Sequence, residues 1–430
     1  MTNLTILGGG YVGVVTAAGL AAAGHRVTLY EVDPGRANAL ARGRVPFHEP
    51  GLQAQVEDGV KSDHLRVVEA PPAAFLDSEA TLVCVGTPMG QDGDADVSQV
   101  QSALQMIAAH GPGTDVVIRS TLPLGASGRL AGWLGRSTLD GIATNPEFLR
   151  QGSAVADFRS PTRIVIGTAD GSDTPAGQTV RRLYRDIDAP VIVTDFASAE
   201  MIKNTANAFL ATKLSFMNEI ADLCEAYGAT VDDVIEGIGL DPRIGPSYLR
   251  PGIGFGGSCL PKELASLVRL AHGKGLVTPL LESAANSNDG RPARIVDRLS
   301  HLLGELRGAR VTLLGLAFKA NTDDLRYSPA LGLAAALSAR GAIVVAHDPA
   351  VPADAPGVPQ EVHQAQSVEE AIEGSDLVII ATEWPEYASL DWAELATLAR
   401  RPVLYDGRRL LPPGPSGARG WRILRVGGGV

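Results

Sequence analysis

The chain has 430 residues, of which 45% are hydrophobic and 20% charged, the composition of a globular protein with two or three domains. Its net charge of −11 disfavours a polyanion such as DNA as the main ligand, although local amides and a few cations can still hold a phosphate. The three cysteines, Cys84, Cys224 and Cys259, are far apart, so neither a zinc site nor a disulfide framework is expected.

The first third of the sequence alternates short apolar runs with helical stretches. A predicted strand at Leu4–Leu7 leads into glycines and an alanine-rich helix from about Tyr11 to Ala23, which Gly24 ends. Further strands are predicted at His25–Glu31, Ala80–Val85, Asp115–Arg119 and Arg163–Gly167. Strands that alternate with helices indicate a parallel sheet covered on both faces.

The start of the sequence also bears on location. The first strand begins at about Leu4, which leaves no room for the charged and apolar regions of a signal peptide. No apolar run reaches the roughly 18 residues that a membrane-spanning helix needs. We therefore expect a cytoplasmic protein that does not bind membranes.

The middle of the chain is predicted to be helical. Between Ala197 and about Gly228 there is no turn cluster, and apolar residues recur at helical spacing. This predicts one helix of roughly 30 residues, about 45 Å long at about 1.5 Å per residue. A helix of that length usually links domains or forms a subunit interface. More helix follows to about Ala285.

The last third returns to an α/β pattern that resembles the first. Strands are predicted at Arg310–Leu314, Ala342–His347, Leu377–Ala381 and Pro402–Tyr405, with a helix at Pro329–Arg340. The predicted fold class is α/β, with two Rossmann-like doubly wound domains joined by a long central helix and a helical dimerisation region. The expected domains are 1–196, 197–290 and 291–430, with small ligands in a cleft between the outer two.

The glycine-rich segment after the first strand has the spacing of a dinucleotide-binding loop. Gly8 permits a tight turn, Gly10 lets a pyrophosphate approach the backbone, and Gly13 allows close packing of the helix. The helix N-terminus supplies amides and the positive end of its dipole. Glu31, at the end of the next strand, is placed to bind the ribose hydroxyls and favours NAD over NADP, whereas the nearby Arg36 could accept a 2′-phosphate.

A second segment predicts a reactive thiol. Glycines precede Cys259, and Pro261 suits the first turn of a helix. A thiol at a helix N-terminus beside a lysine, here Lys262, has a lowered pKa and is a potential nucleophile. For Cys84, in a strand, and Cys224, on the long helix, we expect buried structural thiols instead.

Seven short motifs occur along the chain in a family-specific order: GGGYVG (8–13), EPGL (49–52), VGTP (85–88), STLPLG (120–125), NPEFLR (145–150), GFGGSCLPKE (254–263) and FKANTDDLRYSP (318–329). With these motifs the sequence resembles the UDP-glucose/GDP-mannose dehydrogenase family through essentially its whole length. The resemblance implies a four-electron oxidation at C6 of a nucleotide sugar with two NAD molecules. Cys259 would trap the aldehyde as a thiohemiacetal, which is oxidised to a thioester and hydrolysed.

The resemblance also implies roles for individual residues. The catalytic group comprises Cys259, Lys203, Asn207, Glu147, Thr121 and Glu263. The residues on the NAD side are Gly8, Gly10, Tyr11, Val12, Gly13, Glu31, Arg36, Thr87, Thr121, Lys262 and Arg326. The residues expected to contact the sugar nucleotide are Phe148, Leu149, Arg150, Gln151, Lys203, Asn207, Arg243, Tyr248, Phe255, Gly256, Lys319 and Arg408. Arg243 would act from the partner subunit of a homodimer built on the long helix.

Three positions depart from the family pattern. Gln151 stands where the family usually has Glu, Glu263 where it has Asp, and Tyr327 where it has an acid. The segment RIGPSYL (243–249) favours UDP-glucose as substrate. Two alternatives stay open: the same chemistry on GDP-mannose or a UDP-amino sugar, and a relative that binds the nucleotide sugar but hydrolyses the thioester poorly.

Overall fold

A computed structural model of the chain describes residues 1–75, 77–90, 95–412 and 418–428. It comprises two compact units, Met1–Ala206 and Asn207–Val430. The boundary between them falls inside one long helix rather than in a linker. Each unit is built around its own sheet.

The first unit contains an eight-stranded sheet. In chain order its strands are β1 (Asn3–Leu7), β2 (Arg26–Tyr30), β3 (Leu65–Val68), β4 (Ala80–Val83), β5 (Asp115–Ile118), β6 (Ile142–Thr144), β7 (Ile164–Thr168) and β8 (Val191–Asp195). Their spatial order is β3-β2-β1-β4-β5-β6-β7-β8, the doubly wound arrangement with two further strands. The predicted fold class is confirmed.

One pair of strands contradicts the prediction of a wholly parallel sheet. β6 and β7 meet antiparallel, with Thr144 opposite Gly167, whereas the other neighbours in this sheet pair in parallel. The connection between these two strands contains only a six-residue helix, so it lacks the long crossover helix of a typical parallel unit.

Helices cover both faces of the first sheet. They are α1 (Tyr11–Ala22), α2 (Pro34–Ala41), α3 (Leu52–Lys61), α4 (Pro71–Ala74), α5 (Ser98–His110), α6 (Leu130–Leu134), α7 (Ala154–Arg159) and α8 (Pro175–Leu183). Successive residues of a strand point to opposite faces. On β5, Val117 belongs to the core beneath α1, while Val116 and Ile118 belong to the core beneath α5. Both faces of the sheet are therefore buried, as predicted.

The central helix, α9, runs over Phe196–Tyr227 and has 32 residues. The predicted range was one residue late at each end. Phe209, Phe216 and Leu223 recur every seven residues along α9, and their exposures are 63%, 52% and 54%. Seven residues are nearly two helical turns, so these side chains form one apolar stripe. Such a stripe is unusual on a surface that stays in water.

The second unit repeats the doubly wound order in a six-stranded sheet. Its strands are β9 (Arg310–Leu314), β10 (Ile343–His347), β11 (Val362–Gln364), β12 (Leu377–Ile380), β13 (Val403–Asp406) and β14 (Arg422–Arg425). They lie in the order β11-β10-β9-β12-β13-β14, and these neighbours pair in parallel. Its helices are α10 (Val231–Gly239), α11 (Leu260–His272), α12 (Pro279–Asp289), α13 (Arg291–Leu303), α14 (Pro329–Ala339), α15 (Val368–Ile372), α16 (Pro385–Ala388) and α17 (Trp392–Leu398).

The prediction from sequence missed five strands: β3, β6, β8, β11 and β14. Four of them lie at the sheet edges, where one side of the strand has no neighbour to bury it. In β8, Val191 and Ile192 are exposed. Short or half-exposed strands carry little of the apolar periodicity from which strands are predicted. Within the described residues, no helix is both long and apolar enough to cross a membrane.

Candidate functional site

The glycine loop lies between β1 and α1. Gly8 has φ +105°, and a Cβ there would lie 2.8 Å from the carbonyl oxygen of Cys84. A Cβ at Gly13 would lie 1.8 Å from the Gly8 carbonyl oxygen, so α1 starts in direct contact with the loop. A Cβ at Gly10 would meet nothing within 4 Å. The loop is therefore tightly packed at its two outer glycines and open at Gly10, which fits the approach of a pyrophosphate to the helix N-terminus.

Glu31 organises the same loop from the end of β2. Its side chain is buried, and it accepts hydrogen bonds from the Gly9 amide at 2.8 Å and the Asp33 amide at 2.7 Å. Arg36 pairs with the carboxylate at 3.2 Å. A carboxylate has about four lone-pair sites, so these three donors still leave room for a ribose hydroxyl. Glu31 therefore shapes the loop through the Gly9 and Asp33 amides and keeps spare acceptor capacity.

Two loops that follow neighbouring strands are bonded to each other. The Thr87 hydroxyl donates to the Thr121 carbonyl at 3.0 Å. Glu200, buried near the start of α9, accepts from the amides of Gly125 at 2.6 Å and Ser127 at 2.9 Å. Glu200 thus fixes the loop that carries Thr121. Sequence reasoning missed Glu200, because a glutamate in a long helix gives no sign that it binds amides of a distant loop.

Glu147 and Lys203 form a buried ion pair. Lys203 Nζ lies 3.3 Å from Glu147 Oε1, and their side chains are 4% and 6% exposed. The other oxygen, Oε2, accepts from the Leu149 amide at 2.6 Å. The Lys203 ammonium also lies 5.4 Å from the centroid of the Phe148 ring. Two predicted catalytic residues are therefore in contact, with the cation held against the loop that carries the acid.

The rest of that loop is also well anchored. Arg150 donates to Asp157 from Nε at 3.0 Å and from Nη2 at 2.6 Å. The guanidinium of Arg163 lies 3.7 Å from the centroid of the Phe148 ring. Gln151 is half-buried at the turn that precedes α7. The predicted substrate contact Arg150 is thus engaged by an acid of its own segment.

Cys259 lies in the second unit, immediately before α11. Its carbonyl oxygen accepts a hydrogen bond from the Glu263 amide at 2.9 Å, and Cys259 is the N-cap residue of α11. Cys259 is part-exposed, whereas Cys84 and Cys224 are buried, as predicted. Burial raises the pKa of the Cys84 thiol to about 12. Accessibility therefore separates the predicted nucleophile from the two structural cysteines.

The loop before Cys259 packs tightly against the 318–329 segment. A Cβ at Gly256 would lie 2.1 Å from the Tyr327 carbonyl oxygen, and one at Gly257, where φ is +84°, would lie 2.8 Å from the Phe318 ring. The Gly257 amide also donates to the Arg326 carbonyl at 2.9 Å. These contacts explain why glycines are needed at both positions.

Asn207 and Glu263 form a second buried pair. Asn207 Nδ2 donates to Glu263 Oε2 at 2.6 Å, and the two residues are 9% and 2% exposed. Glu263 stands where the resemblance implies an aspartate, and its carboxylate still contacts Asn207 on α9. The longer side chain reaches the predicted catalytic amide.

Arg408 and Asn288 position the backbone around the cysteine loop. Arg408 donates to the carbonyls of Ala381 at 2.8 Å, Gly254 at 3.1 Å and Phe318 at 3.3 Å. Asn288 accepts from the Phe255 amide at 2.9 Å and donates to the Phe255 carbonyl at 3.1 Å. Sequence reasoning missed Asn288, an amide inside α12 with no motif around it.

The remaining predicted residues of the second unit lie in two loops and on α11. Arg243 is exposed and bonds Asp241, while Tyr248 has φ +61°. Lys213 of α9 donates to the carbonyls of Ile244 at 3.1 Å and Ser247 at 2.8 Å, which holds their loop.

Three predicted site residues of the second unit remain: Lys319, Arg326 and Lys262. Lys319 Nζ lies 5.5 Å from the centroid of the Phe318 ring. Arg326 Nε donates to Asp324 at 2.9 Å. Lys262 lies in the first turn of α11, three residues after the thiol. In the described part of the chain, no group of three His, Cys, Asp or Glu side chains is placed to hold a metal ion.

Three domain models of one known family match successive parts of the chain. Residues 2–188 match the NAD binding domain of the UDP-glucose/GDP-mannose dehydrogenase family, 197–290 its central domain, and 312–413 its UDP binding domain. The glycine loop, with Gly10 open and Glu31 beside it, lies in the first of these matches, so NAD is the cofactor that the chain's residues fit.

Individual relatives agree over the full length. The chain is 38% identical over 435 residues to UDP-glucose 6-dehydrogenase TuaD of Bacillus subtilis, covering 99% of this chain and 93% of that one. The structure of a UDP-glucose dehydrogenase from Pyrobaculum islandicum superposes with a TM-score of 0.90 at 37% identity, covering 100% and 98% of the two chains. That of a UDP-D-ManNAc dehydrogenase from Pyrococcus horikoshii has a TM-score of 0.85 at 27% identity, with 99% of each chain covered. The chain belongs to the UDP-glucose/GDP-mannose dehydrogenase family.

Proposed function

We propose that this protein oxidises UDP-glucose at C6 to UDP-glucuronate with NAD. The observation that carries the proposal is full-length similarity to UDP-glucose 6-dehydrogenases in a chain that retains an accessible cysteine at a helix start. The match of residues 312–413 to a UDP binding domain supports a uridine nucleotide as the carrier of the sugar.

The chemistry assigned to the chain centres on Cys259. When bound, NAD supplies the hydride acceptor for each of the two oxidation steps. The Cys259 thiolate adds to the C6 aldehyde, so that a C–S bond forms and the carbonyl oxygen takes a proton to give a thiohemiacetal. After the second oxidation the sugar is held as a thioester. Water adds to its carbonyl carbon, the C–S bond breaks, and the products are the carboxylate and the free thiolate.

Residues of the two buried pairs support that chemistry. The Lys203 ammonium can stabilise the oxyanion that develops at C6, because a buried cation is a strong electrostatic partner. Glu147, which is ion-paired with Lys203, is assigned as the base in the hydrolysis. Asn207, fixed by Glu263, is an amide donor one turn along α9 from Lys203. Thr121 is assigned to orient the substrate hydroxyl or water.

The remaining roles rest on position within the family motifs. On the nucleotide side we assign Tyr11, Val12, Thr87, Lys262 and Arg326. The residues assigned to contact the sugar nucleotide are Phe148, Leu149, Arg150, Gln151, Tyr248, Phe255, Gly256, Lys319 and Arg408. Arg408, Arg150 and Arg326 also donate hydrogen bonds within the protein, so each of them helps to orient its surrounding loop.

We further propose a cytoplasmic homodimer with three functional domains, 1–196, 197–290 and 291–430. The apolar stripe at Phe209, Phe216 and Leu223 supports the dimer, because contiguous exposed apolar surface of this kind marks an interaction site. A second copy of the chain presents the same stripe, so the contact is self-complementary. Arg243, exposed on its loop, would then reach the partner's substrate.

Another nucleotide sugar is the second candidate substrate. The similarity to a UDP-D-ManNAc dehydrogenase structure favours testing UDP-amino sugars, and the family name favours testing GDP-mannose. Gln151 and Glu263 motivate the third possibility, a relative in which thioester hydrolysis is slow. The bond between Glu263 and Asn207 weakens that possibility.

The test is a panel of nucleotide sugars at equal concentration, with NAD in excess. We expect UDP-glucose to give the fastest rise in NADH absorbance and two NADH for each uronate released. A faster UDP-amino sugar or GDP-mannose would change the substrate assignment. A stable adduct on Cys259 by mass spectrometry, with two NADH and no free uronate, would identify the hydrolysis-impaired relative. No turnover with any member of the panel would refute the proposal.

A further inference from the structure

The EPGL motif contains a buried carboxylate that the proposed mechanism does not use. Glu49 is 6% exposed. Its Oε1 accepts from the Ala154 amide at 2.8 Å, and its Oε2 accepts from the Gly152 amide at 2.6 Å and from the Tyr11 hydroxyl. Three donors from two distant segments therefore share one carboxylate.

One of these segments is the glycine loop between β1 and α1 with the first turn of α1, called the nucleotide loop below. Tyr11 is the first residue of α1 and follows Gly10 directly. Its ring lies against Phe47, with centroids 5.2 Å apart. Burial and the neighbouring Glu49 carboxylate raise the pKa of the Tyr11 phenol far above its ordinary value, so the hydroxyl remains a donor at any working pH. The contact with Glu49 thus fixes the first turn of α1.

The other segment is the loop that holds Glu147 and the predicted sugar contacts. Its start is fixed by Asn145, whose amide nitrogen donates to the Val165 carbonyl at 2.9 Å and whose side-chain oxygen accepts from Arg119 at 2.6 Å. Its end is held at Gly152 and Ala154, whose amides donate to Glu49, while Arg150 donates to Asp157. Residues 147–151 lie between these two anchors.

We propose that Glu49 is a positioning residue that couples the nucleotide loop to the substrate loop 145–154. Its carboxylate accepts from the Tyr11 hydroxyl and also from the amides at the end of the substrate loop. These contacts keep the pyrophosphate-binding turn of α1 and the Glu147 segment in one fixed arrangement. Such placement matters for affinity, because a binding loop that is already held in its bound arrangement loses less conformational freedom when the ligand binds. The effect on sugar binding rests on the proposed function, while the effect on nucleotide binding does not.

Two variants separate the two arms of the contact. Tyr11→Phe removes only the phenol donor and leaves both backbone amides bonded to Glu49. Glu49→Gln keeps the shape but turns one acceptor into a donor, so one of the two backbone amides must face an NH₂ group. Glu57→Gln is the matched control, because Glu57 is an exposed carboxylate of α3 that pairs with Lys61.

The readouts are NADH affinity by fluorescence titration and the separate kcat and KM for NAD and for UDP-glucose. We expect Tyr11→Phe to weaken NADH about three- to tenfold with little change in the KM for the sugar. Glu49→Gln should weaken NADH to a similar degree and raise the KM for the sugar by about tenfold, with a smaller effect on kcat. The double variant should bind NADH no more weakly than Glu49→Gln alone, because both act through one contact. Glu57→Gln should match the wild type.

Unchanged NADH affinity in both Tyr11→Phe and Glu49→Gln would overturn the proposal, as would independent, additive effects of the two. A lower melting temperature with unaltered kcat, KM and NADH affinity would reduce Glu49 to a structural role and overturn it as well. If Glu49→Gln does not fold, Tyr11→Phe and Glu49→Asp carry the same measurements. If the wild type oxidises no nucleotide sugar, the proposed function fails, yet the NADH titrations still decide whether Glu49 positions the nucleotide loop.

Discussion

Lys203 on α9 and Glu147 in the loop after β6 form an ion pair at 3.3 Å in which both side chains are more than nine-tenths buried. Two charges taken out of water are tolerable only as a pair with further hydrogen bonds. Glu147 has one such bond, from the Leu149 amide. The pair therefore joins the central helix to the loop that carries the predicted base, and its energetics can be tested independently of catalysis.

Removing one member of the pair should destabilise the protein more than removing both. Glu147→Gln leaves a buried cation without its carboxylate, which we expect to cost about 3–5 kcal/mol of unfolding free energy. The double variant Glu147→Gln/Lys203→Met has no charge left to desolvate and should lose less. Urea unfolding of the wild type, Glu147→Gln, Lys203→Met and the double variant measures the loss of unfolding free energy in each. A double variant that is less stable than Glu147→Gln would contradict this prediction, because removing the unpaired cation should recover part of the loss.

Selective thiol labelling should distinguish the three cysteines. Cys259 is part-exposed, while Cys84 is buried with its pKa raised to about 12. A thiol with a raised pKa stays protonated at pH 8 and is a poor nucleophile, and Cys224 is buried as well. We expect iodoacetamide at pH 8 to modify Cys259 alone and to abolish uronate formation.

Cys259→Ala supplies the control for that experiment. It should remove the rapid label and the acid product while leaving NADH affinity nearly unchanged, because the NAD binding match lies in residues 2–188. Uronate formation at the normal rate by Cys259→Ala would contradict the covalent mechanism.

The length of Glu263 should matter more than its charge. Glu263→Asp introduces the residue that the family resemblance implies, but it shortens the side chain by one methylene and breaks the 2.6 Å bond from Asn207. We expect kcat to fall about ten- to a hundredfold, since loss of one buried hydrogen bond to a charged group is worth roughly 1.5–3 kcal/mol. Glu263→Gln keeps the length and an acceptor oxygen, and should retain more activity than Glu263→Asp. The reverse order in steady-state rates would indicate that charge, rather than reach, is required.

Cofactor choice should depend on the contact between Glu31 and Arg36. Glu31→Ala removes the acceptor for the Gly9 and Asp33 amides and releases the Arg36 guanidinium. We expect weaker NAD binding and a raised ratio of NADP to NAD activity, because a free arginine can bind a 2′-phosphate. In Glu31→Ala/Arg36→Ala the gain with NADP should disappear. A ratio that stays constant in both variants would move the ribose contact to another residue.

The proposed dimer predicts that a charge on the α9 stripe will separate the subunits. Phe216, 52% exposed, lies between Phe209 and Leu223 along the stripe. Phe216→Glu would bury a carboxylate without a partner at the interface, so light scattering after gel filtration should show a monomer. Val32→Glu changes an apolar residue that is 77% exposed in the first unit, and should leave the dimer intact. A wild-type protein that is monomeric at micromolar concentration would contradict the proposal.

Local sequence was sufficient for the main elements. β9 was predicted at its observed bounds, and α1, α9 and α14 within one residue at each end, because apolar periodicity, prolines and glycines act over a few residues. The glycine loop and the Cys259 segment were recognised for the same reason. Their chemistry depends on neighbours in the chain.

Tertiary structure decided the contacts between distant segments. Glu147 and Lys203 are 56 residues apart in sequence, as are Asn207 and Glu263, and Glu49 binds amides more than 100 residues away. Tertiary structure likewise decided that β6 and β7 pair antiparallel, and which backbone groups Glu200 and Asn288 bind. Such pairings depend on how strands are ordered and helices packed, and a polar side chain in a helix carries no local mark of the backbone group it will meet. The sequence by itself therefore determined the family and the cofactor loop and predicted the nucleophile, while only the folded chain decided which carboxylates hold these segments in place.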